Sequence, residues 1–263
     1  MKVQTAKILY NKEAAPGYFR IGLSWKKPAI KAGQFVMLRV DTGGDYPLRL
    51  DPLLRRPLGV YRSIGAGVEL LYQVVGKGTR ILSEKTAGEF LSLLGPLGNG
   101  FPAPPKGKKV ILVAGGMGIA SLFMFAARLK GATLLFGARA KAETAVADDF
   151  KRLGLKIKIS TQDGSVGKKG LVTELLKDEI TDDSVVYACG PAGMLKAVSR
   201  ICHSGGVTCR VSLERAMACG IGVCLGCAVK TNPHAGRSDN RVYQMICSDG
   251  PVFDAGDIDW DAF

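Results

Sequence analysis

The sequence predicts an antiparallel β barrel, then an α/β domain built on a parallel sheet, then a small cysteine-rich C-terminal segment. Three observations predict this order. Up to about residue 100, short alternating apolar runs are separated by turn signals, the pattern of a small barrel. From Lys109, apolar runs alternate with helical patterns, the pattern of βαβ units. After about residue 212 that rhythm stops, and four cysteines follow between Cys219 and Cys247. A chain of 263 residues holds two domains of about 100–130 residues with room for such a segment. The expected divisions are 1–102, 103–211 and 212–263.

In chain order, barrel strands are expected at Gln34–Val40, Gly59–Ile64 and Val68–Val75, with turns at Thr42-Gly43-Gly44-Asp45 and Gly65-Ala66-Gly67. A helical turn is expected at Thr79–Glu84. The prolines of Pro102–Gly107 exclude a continuing strand or helix, so that stretch reads as a linker. Buried parallel strands follow at Val110–Ala114, Thr133–Phe136, Lys156–Ser160, Val185–Ala188 and Thr208–Val211. Helices are expected at Gly118–Lys130, Ala142–Leu153, Leu171–Lys177 and Met194–Ser204.

Composition excludes several classes. With 47% hydrophobic and 22% charged residues the chain has ample surface to bury, which excludes intrinsic disorder. Its start has no apolar core of signal-peptide length, so a cytoplasmic location is expected. Val110–Ala127 is uncharged, but Gly115-Gly116-Met117-Gly118 divides it into strand, turn and helix, against a membrane span. Net charge is +11 over residues 1–110, +4 over 111–209 and −2 over 210–263. A basic first domain suits phosphorylated ligands or an acidic partner. No basic run is interleaved with aromatics, so nucleic acid is not expected. Seven cysteines without a secretory signal argue against a disulfide framework.

Cys219, Cys224, Cys227 and Cys247 form C-x4-C-x2-C-x19-C, the plant-type arrangement for a [2Fe-2S] cluster. A zinc ribbon, normally built from two C-x2-C claws, and unconnected buried cysteines are the alternatives. Gly115-Gly116-Met117-Gly118-Ile119-Ala120 follows a strand and opens a helix, a setting that offers glycine backbone and helix N–H groups to a pyrophosphate. The motif lacks the third glycine of the full fingerprint, and a tight turn without a ligand is its plain alternative. Cys189-Gly190-Pro191 ends a later strand on the same sheet edge. In the barrel, Arg56-Pro57-Leu58-Gly59 starts a strand, and Gly78-Thr79 heads a helical turn. Together they could cradle a second diphosphate, or be a surface arginine and a turn. Arg139 after the second parallel strand could meet a 2′-phosphate or simply be a surface charge. His203 and His234 are isolated and read as structural or solvated, and no catalytic acid–base or nucleophilic constellation is evident.

In combination these motifs resemble the ferredoxin–NADP reductase superfamily. Glu214-Arg215-Ala216-Met217-Ala218-Cys219 through Cys227, then Cys247-Ser248-Asp249-Gly250-Pro251-Val252-Phe253, resemble the electron transfer subunits of dihydroorotate dehydrogenase B. Gly95-Pro96-Leu97-Gly98-Asn99-Gly100-Phe101 matches that family too. The resemblance implies FAD in the barrel, held by Arg56, Pro57, Leu58, Gly59, Leu71, Tyr72, Gln73, Gly78 and Thr79. It implies NAD over Gly115, Gly116, Gly118, Ile119, Ala120, Cys189, Gly190 and Pro191, and the [2Fe-2S] cluster on the four cysteines. It further implies an FMN-containing catalytic subunit in a 2:2 heterotetramer that oxidises dihydroorotate in pyrimidine (UMP) biosynthesis. Electrons would pass from that subunit through cluster and FAD to NAD+. One departure matters: the family usually has Ser where this chain has Gly59, so a hydroxyl commonly available to the flavin is missing there. Related FAD/[2Fe-2S] subunits of bifurcating transhydrogenases or sulfide dehydrogenases differ in partner rather than wiring, and a non-catalytic cluster-binding regulator is the alternative of another class.

Overall fold

The computed structural model describes residues 1–26, 29–40, 51–232 and 241–263. The turn expected at Thr42–Asp45 and His234 lie outside them. The chain begins with β1 (Lys2–Ala15), β2 (Tyr18–Ser24), β3 (Phe35–Arg39), β4 (Arg56–Ile64) and β5 (Gly67–Gln73). Then come α1 (Lys77–Glu84) and β6 (Phe90–Leu97). The six strands close as β1-β2-β5-β4-β3-β6, with every pairing antiparallel. Closure leaves no unpaired strand edge, and the inward set fills the barrel with fully buried Ile8, Ile21, Leu23, Leu38 and Leu70.

The second layer runs β7 (Lys109–Gly115), α2 (Gly118–Ala126), β8 (Thr133–Ala138), a 3₁₀ run (Lys141–Ala147), α3 (Asp148–Lys151) and β9 (Lys156–Thr161). It continues through β10 (Lys168–Lys169), α4 (Val172–Glu179), β11 (Ser184–Cys189), α5 (Ala192–Ser204) and β12 (Thr208–Ser212). The C-terminal part adds β13 (Ala228–Lys230), β14 (Tyr243–Met245) and β15 (Val252–Asp254). The large sheet has the order β10-β9-β8-β7-β11-β12-β15. Its β7 pairs with both β8 and β11, so the order reverses there and opens a crevice at the carboxyl ends of the two strands. The apolar stretch from Val110 is thus a buried strand, a glycine turn and a nine-residue helix. Among the described residues no helix is long and apolar enough to cross a membrane.

Barrel and sheet share one core. Tyr61 of β4 is fully buried and stacks on Phe123 of α2 with ring centroids 4.4 Å apart, worth roughly 0.5–1.5 kcal/mol beyond area burial. Beside them Asp149 of α3, 3% exposed, accepts a hydrogen bond from Tyr61 Oη at 2.9 Å and pairs with Arg20 of β2 at 2.8 Å. These contacts explain a difference from expectation. The segment expected as one helix, Ala142–Leu153, is a 3₁₀ run followed by a single α turn, because Asp149 and Phe150, adjacent in sequence, are both drawn inward. The helix expected to reach Lys130 ends at Ala126, and Arg128 and Leu129 continue it with 3₁₀-type bonds ahead of Gly131 at φ +69°.

The C-terminal segment is fastened to both layers. β15 pairs antiparallel with β12, setting Phe253 opposite Val211. Asn99, just after β6, donates from its backbone N–H to Gly250 O at 2.6 Å and from its side chain to Asp249 O at 2.8 Å.

Candidate functional site

Two clefts flank the junction of barrel and sheet. One, of about 500 Å³, is lined by Arg56, Pro57, Leu58, Gly59, Leu71, Tyr72, Gln73 and Thr79, with Ala120 and Ser121 of α2 and Ser212 to Arg215 opposite. The other, of about 660 Å³, lies along the carboxyl edge of the sheet over Gly115–Gly118, Gly137–Arg139, Gly170–Thr173 and Gly190–Met194. Gln73, Met117 and Glu214 line both, so the clefts meet there.

In the barrel cleft, Arg56 lies over the start of α1: a β-carbon on Gly78 would meet Arg56 Nε at 2.4 Å. A guanidinium and a helix N-terminus therefore converge, as anionic ligands require. The Thr79 hydroxyl is already occupied, accepting from the N–H of Val75 at 2.9 Å and donating to Gly76 O at 3.0 Å. It holds the helix start. Tyr72 is buried, its hydroxyl bonded to Asn11 Oδ1 at 3.1 Å, and burial pushes its pKa up to about 12.

At the sheet edge the two glycine turns are packed against each other. A β-carbon on Gly118 would sit 2.1 Å from Cys189 O, which excludes any side chain there. Gly115, Gly116, Gly118, Gly190 and Pro191 line this cleft. Ile119 and Cys189 are fully buried and line neither cleft, and Ala120 faces the barrel cleft. Arg139 is held by Glu143: the Arg139 N–H donates to Glu143 Oε2 at 2.9 Å and its Nη2 lies 2.7 Å from Oε1. Sequence reasoning gave no role to Glu214, Met117, Ser121 or Glu143. Glu214 had a signal, as the second residue after a strand at the ligand-binding edge; the others depend on long-range packing. Glu214 is exposed and lines both clefts, and desolvation by the protein around it raises its carboxyl above the ordinary range.

The four cysteines of the C-terminal loop come together among backbone donors. The N–H of Ile221 donates to Cys219 Sγ at 3.4 Å, that of Gly222 to Cys247 Sγ at 3.1 Å, and that of Cys247 to Cys227 Sγ at 3.4 Å. Burial pushes the Cys219 thiol up, but the amides of Ile221 and Cys224 outweigh it and hold the thiol at about 6. At Cys247 desolvation and then the neighbouring Cys227 thiol act the other way, to about 12. Gly220 and Gly222, at φ +74° and +82°, let the loop turn its amides onto the sulfurs. Among the described residues, no three His, Cys, Asp or Glu side chains are set around a single metal ion. Donated N–H bonds to thiolate positions on a folded loop suit a cluster, whose ligands divide between two irons. Met217, two residues before Cys219, lines the barrel cleft, which links loop and cleft.

Residues 214–259 match the iron–sulfur cluster binding domain of dihydroorotate dehydrogenase B. The chain is 39% identical over 253 residues to the dihydroorotate dehydrogenase B (NAD(+)) electron transfer subunit of Caldanaerobacter subterraneus subsp. tengcongensis, covering 96% of this chain and 97% of the relative. To the subunit of the same name from Desulforamulus reducens it is 38% identical, over 99% of each chain. Among solved structures, a chain of an NADH-dependent reduced ferredoxin-NADP oxidoreductase, described for flavin-based electron bifurcation, superposes with a TM-score of 0.82 at 30% identity, covering 97% of this chain and 90% of that one. A Neisseria gonorrhoeae ferredoxin NADP+ reductase with bound FAD and NADP shares the fold at TM-score 0.65 and 20% identity, over 83% of this chain and 96% of that one.

Proposed function

The chain belongs to the family of electron transfer subunits of dihydroorotate dehydrogenase B (NAD(+)), and from that premise we propose how its own residues serve the transfer. It is an oxidoreductase subunit that uses FAD, an iron–sulfur cluster and NAD, and it works with a catalytic subunit that oxidises dihydroorotate. That partner carries FMN, the assembly is a 2:2 heterotetramer, and its place is the cytoplasm. FAD in the barrel cleft, when bound, supplies the exchange between single electrons of the cluster and the hydride of the nicotinamide.

The observation that carries this reading is the meeting of the two clefts at Gln73, Met117 and Glu214, with the cysteine loop adjoining one of them. In residues 1–102, Arg56 neutralises a diphosphate at the start of α1, where Gly78 admits its guanidinium. Pro57, Leu58, Gly59, Leu71, Tyr72 and Gln73 form the wall against which a flat ring system packs, and Thr79 holds the helix start. In residues 103–211, Gly115, Gly116 and Gly118 open the backbone to the second diphosphate, with Gly190 and Pro191 opposite, while Ile119 and Cys189 support the turns from below and Ala120 turns to the barrel cleft. The pairing of Arg139 with Glu143 suits NAD, since a 2′-phosphate would meet a carboxylate. In residues 212–263, Cys219, Cys224, Cys227 and Cys247 hold the cluster, and amides aimed at the sulfurs of Cys219, Cys227 and Cys247 favour the charged ligands.

The test is an absorption spectrum of the anaerobically purified chain before and after NADH, followed by co-expression with an FMN-containing dehydrogenase subunit. Flavin and iron–sulfur bands that both bleach, and dihydroorotate-dependent NADH formation by the pair, are the expected results. The likeness to a bifurcating oxidoreductase favours one other reading, and turnover of ferredoxin without turnover of dihydroorotate would establish it instead.

A further inference from the structure

We infer that Ser121, on the first turn of α2, supplies the hydroxyl that the barrel lacks at Gly59, making it a positioning residue for the flavin contributed by the other domain. The inference rests on the flavin reading of the barrel cleft. Gly59 lies on β4 in the wall of that cleft and has no side chain to offer a ligand. The space beside it is taken. A β-carbon at position 59 would meet Ser121 Oγ at 3.0 Å, while Ser121 Cα and Cβ would both lie at 3.9 Å. The Ser121 oxygen therefore occupies the volume into which a side chain at 59 would grow.

Three features make this oxygen part of the site rather than a chance neighbour. Ser121 itself lines the barrel cleft, together with Met117 and Ala120 of the same helix start. Its helix neighbours Ala120 and Leu122 are buried, so the turn that carries the group is held at the cleft floor. Tyr61 and Phe123 stack across the same β4–α2 contact, so the relation of Ser121 to Gly59 is fixed by a packed core. A hydroxyl both donates and accepts, as a ring edge that gains a proton on reduction requires.

Geometry also says that the two positions share one hydroxyl. With Ser121 in place, Gly59→Ser is crowded, because a 3.0 Å contact forces the neighbour to give way. With Ser121→Ala the crowding oxygen is gone, and the residue-121 β-carbon stands at an ordinary 3.9 Å from a β-carbon at 59. The double variant should therefore restore what Ser121→Ala removes.

Four proteins test this: wild type, S121A, G59S and G59S/S121A. The readouts are FAD affinity by fluorescence titration of the apoprotein, the shape of the bound-flavin absorption band, and the thermal midpoint of the apoprotein. For S121A we expect roughly two- to tenfold weaker FAD binding, the range of one neutral hydrogen bond, and an altered flavin band with an unchanged apoprotein midpoint. G59S/S121A should regain wild-type affinity and band shape. FAD affinity and band in S121A equal to wild type would overturn the inference, as would a loss in S121A that the double variant fails to recover. A wild-type chain that takes up no FAD would overturn the function and this inference together, which separates the two failures.

Discussion

At Gly118 a single methyl group is enough to break the sheet-edge cleft proposed to hold the nucleotide. A β-carbon there would lie 2.1 Å from Cys189 O and 2.6 Å from Gly190 N, both backbone atoms of the facing turn, so neither can swing aside. Gly118→Ala should therefore cost about 1–3 kcal/mol in denaturant unfolding and sharply weaken NADH binding, whereas the same change at Gly193, with open space around it, should cost far less. Glu143 presents a second residue-scale decision. Its carboxylate holds the guanidinium and the backbone N–H of Arg139 at the mouth of the sheet-edge cleft. Glu143→Ala would release that cation toward a 2′-phosphate, so kcat/KM for NADPH relative to NADH should rise. An unchanged ratio in steady-state kinetics with both nucleotides would show that Arg139 does not reach the ribose.

Among elements, α4 shows how charge fixes a helix on the sheet. Its Glu179 side chain is 7% exposed and is shared by Lys158 of β9 at 2.5 Å, Lys156 at 3.2 Å and Lys109 of β7 at 3.5 Å. The hydrogen bond from Lys158 comes first, burial opposes it, and Lys156 and Lys109 add to it; together they lower the carboxyl to about 2. A carboxyl depressed on folding adds stability that is fully present above its unfolded pKa and fades as pH falls through the folded value. Glu179→Gln should thus destabilise by roughly 1–2 kcal/mol at pH 7, a figure reduced for the solvent-facing lysine heads, and the gap to wild type should close as pH falls from about 4 toward 2. Denaturant melts across that range measure it. Five of the parallel strands were readable from sequence to within a residue or two, since apolar runs between glycine turns have few other fates, whereas the two-residue β10 carries no such run. β1 was hidden, because its register slips between Ile8 and Tyr10 and again between Glu13 and Ala15, which breaks the alternation. β15 was hidden too: three residues carry no period, and only pairing with β12 makes them a strand. The same limit applies to the site. Cysteine spacing and glycine turns are local and could be read, whereas Ser121 beside Gly59 and Asp149 beneath Tyr61 exist only through contacts far apart in sequence.

For the whole molecule, the arrangement separates two kinds of traffic. In the proposed reading, hydride is exchanged where the clefts meet, at Gln73, Met117 and Glu214, and single electrons pass through the cysteine loop beyond Met217. The clefts are built mainly from the barrel and from the sheet around β7 and β11. The core of Tyr61, Phe123 and Phe150 includes none of the four cysteines, whereas Cys227 and Cys247 pack in a second core beside Ile111, Val113 and Val186, which Cys219 does not join. The C-terminal segment is fastened by β15 on β12, by Asn99 on the backbone of Asp249 and Gly250, and by Val229 and Ile246 in that second core, so its hold does not depend on the partly exposed Cys219. Losing the cluster should therefore leave the hydride half standing. Cys219 is the proposed ligand to change: it is only partly buried and accepts N–H bonds from Ile221 and Cys224, so Cys219→Ser disturbs little packing. In rapid mixing with NADH under anaerobic conditions, the flavin of this variant should bleach at the wild-type rate. Dihydroorotate-dependent NADH formation with the catalytic subunit should fall to background. If flavin bleaching fails along with it while FAD remains bound, the cysteine loop shapes the nicotinamide junction as well, and the two routes are not separable in this chain.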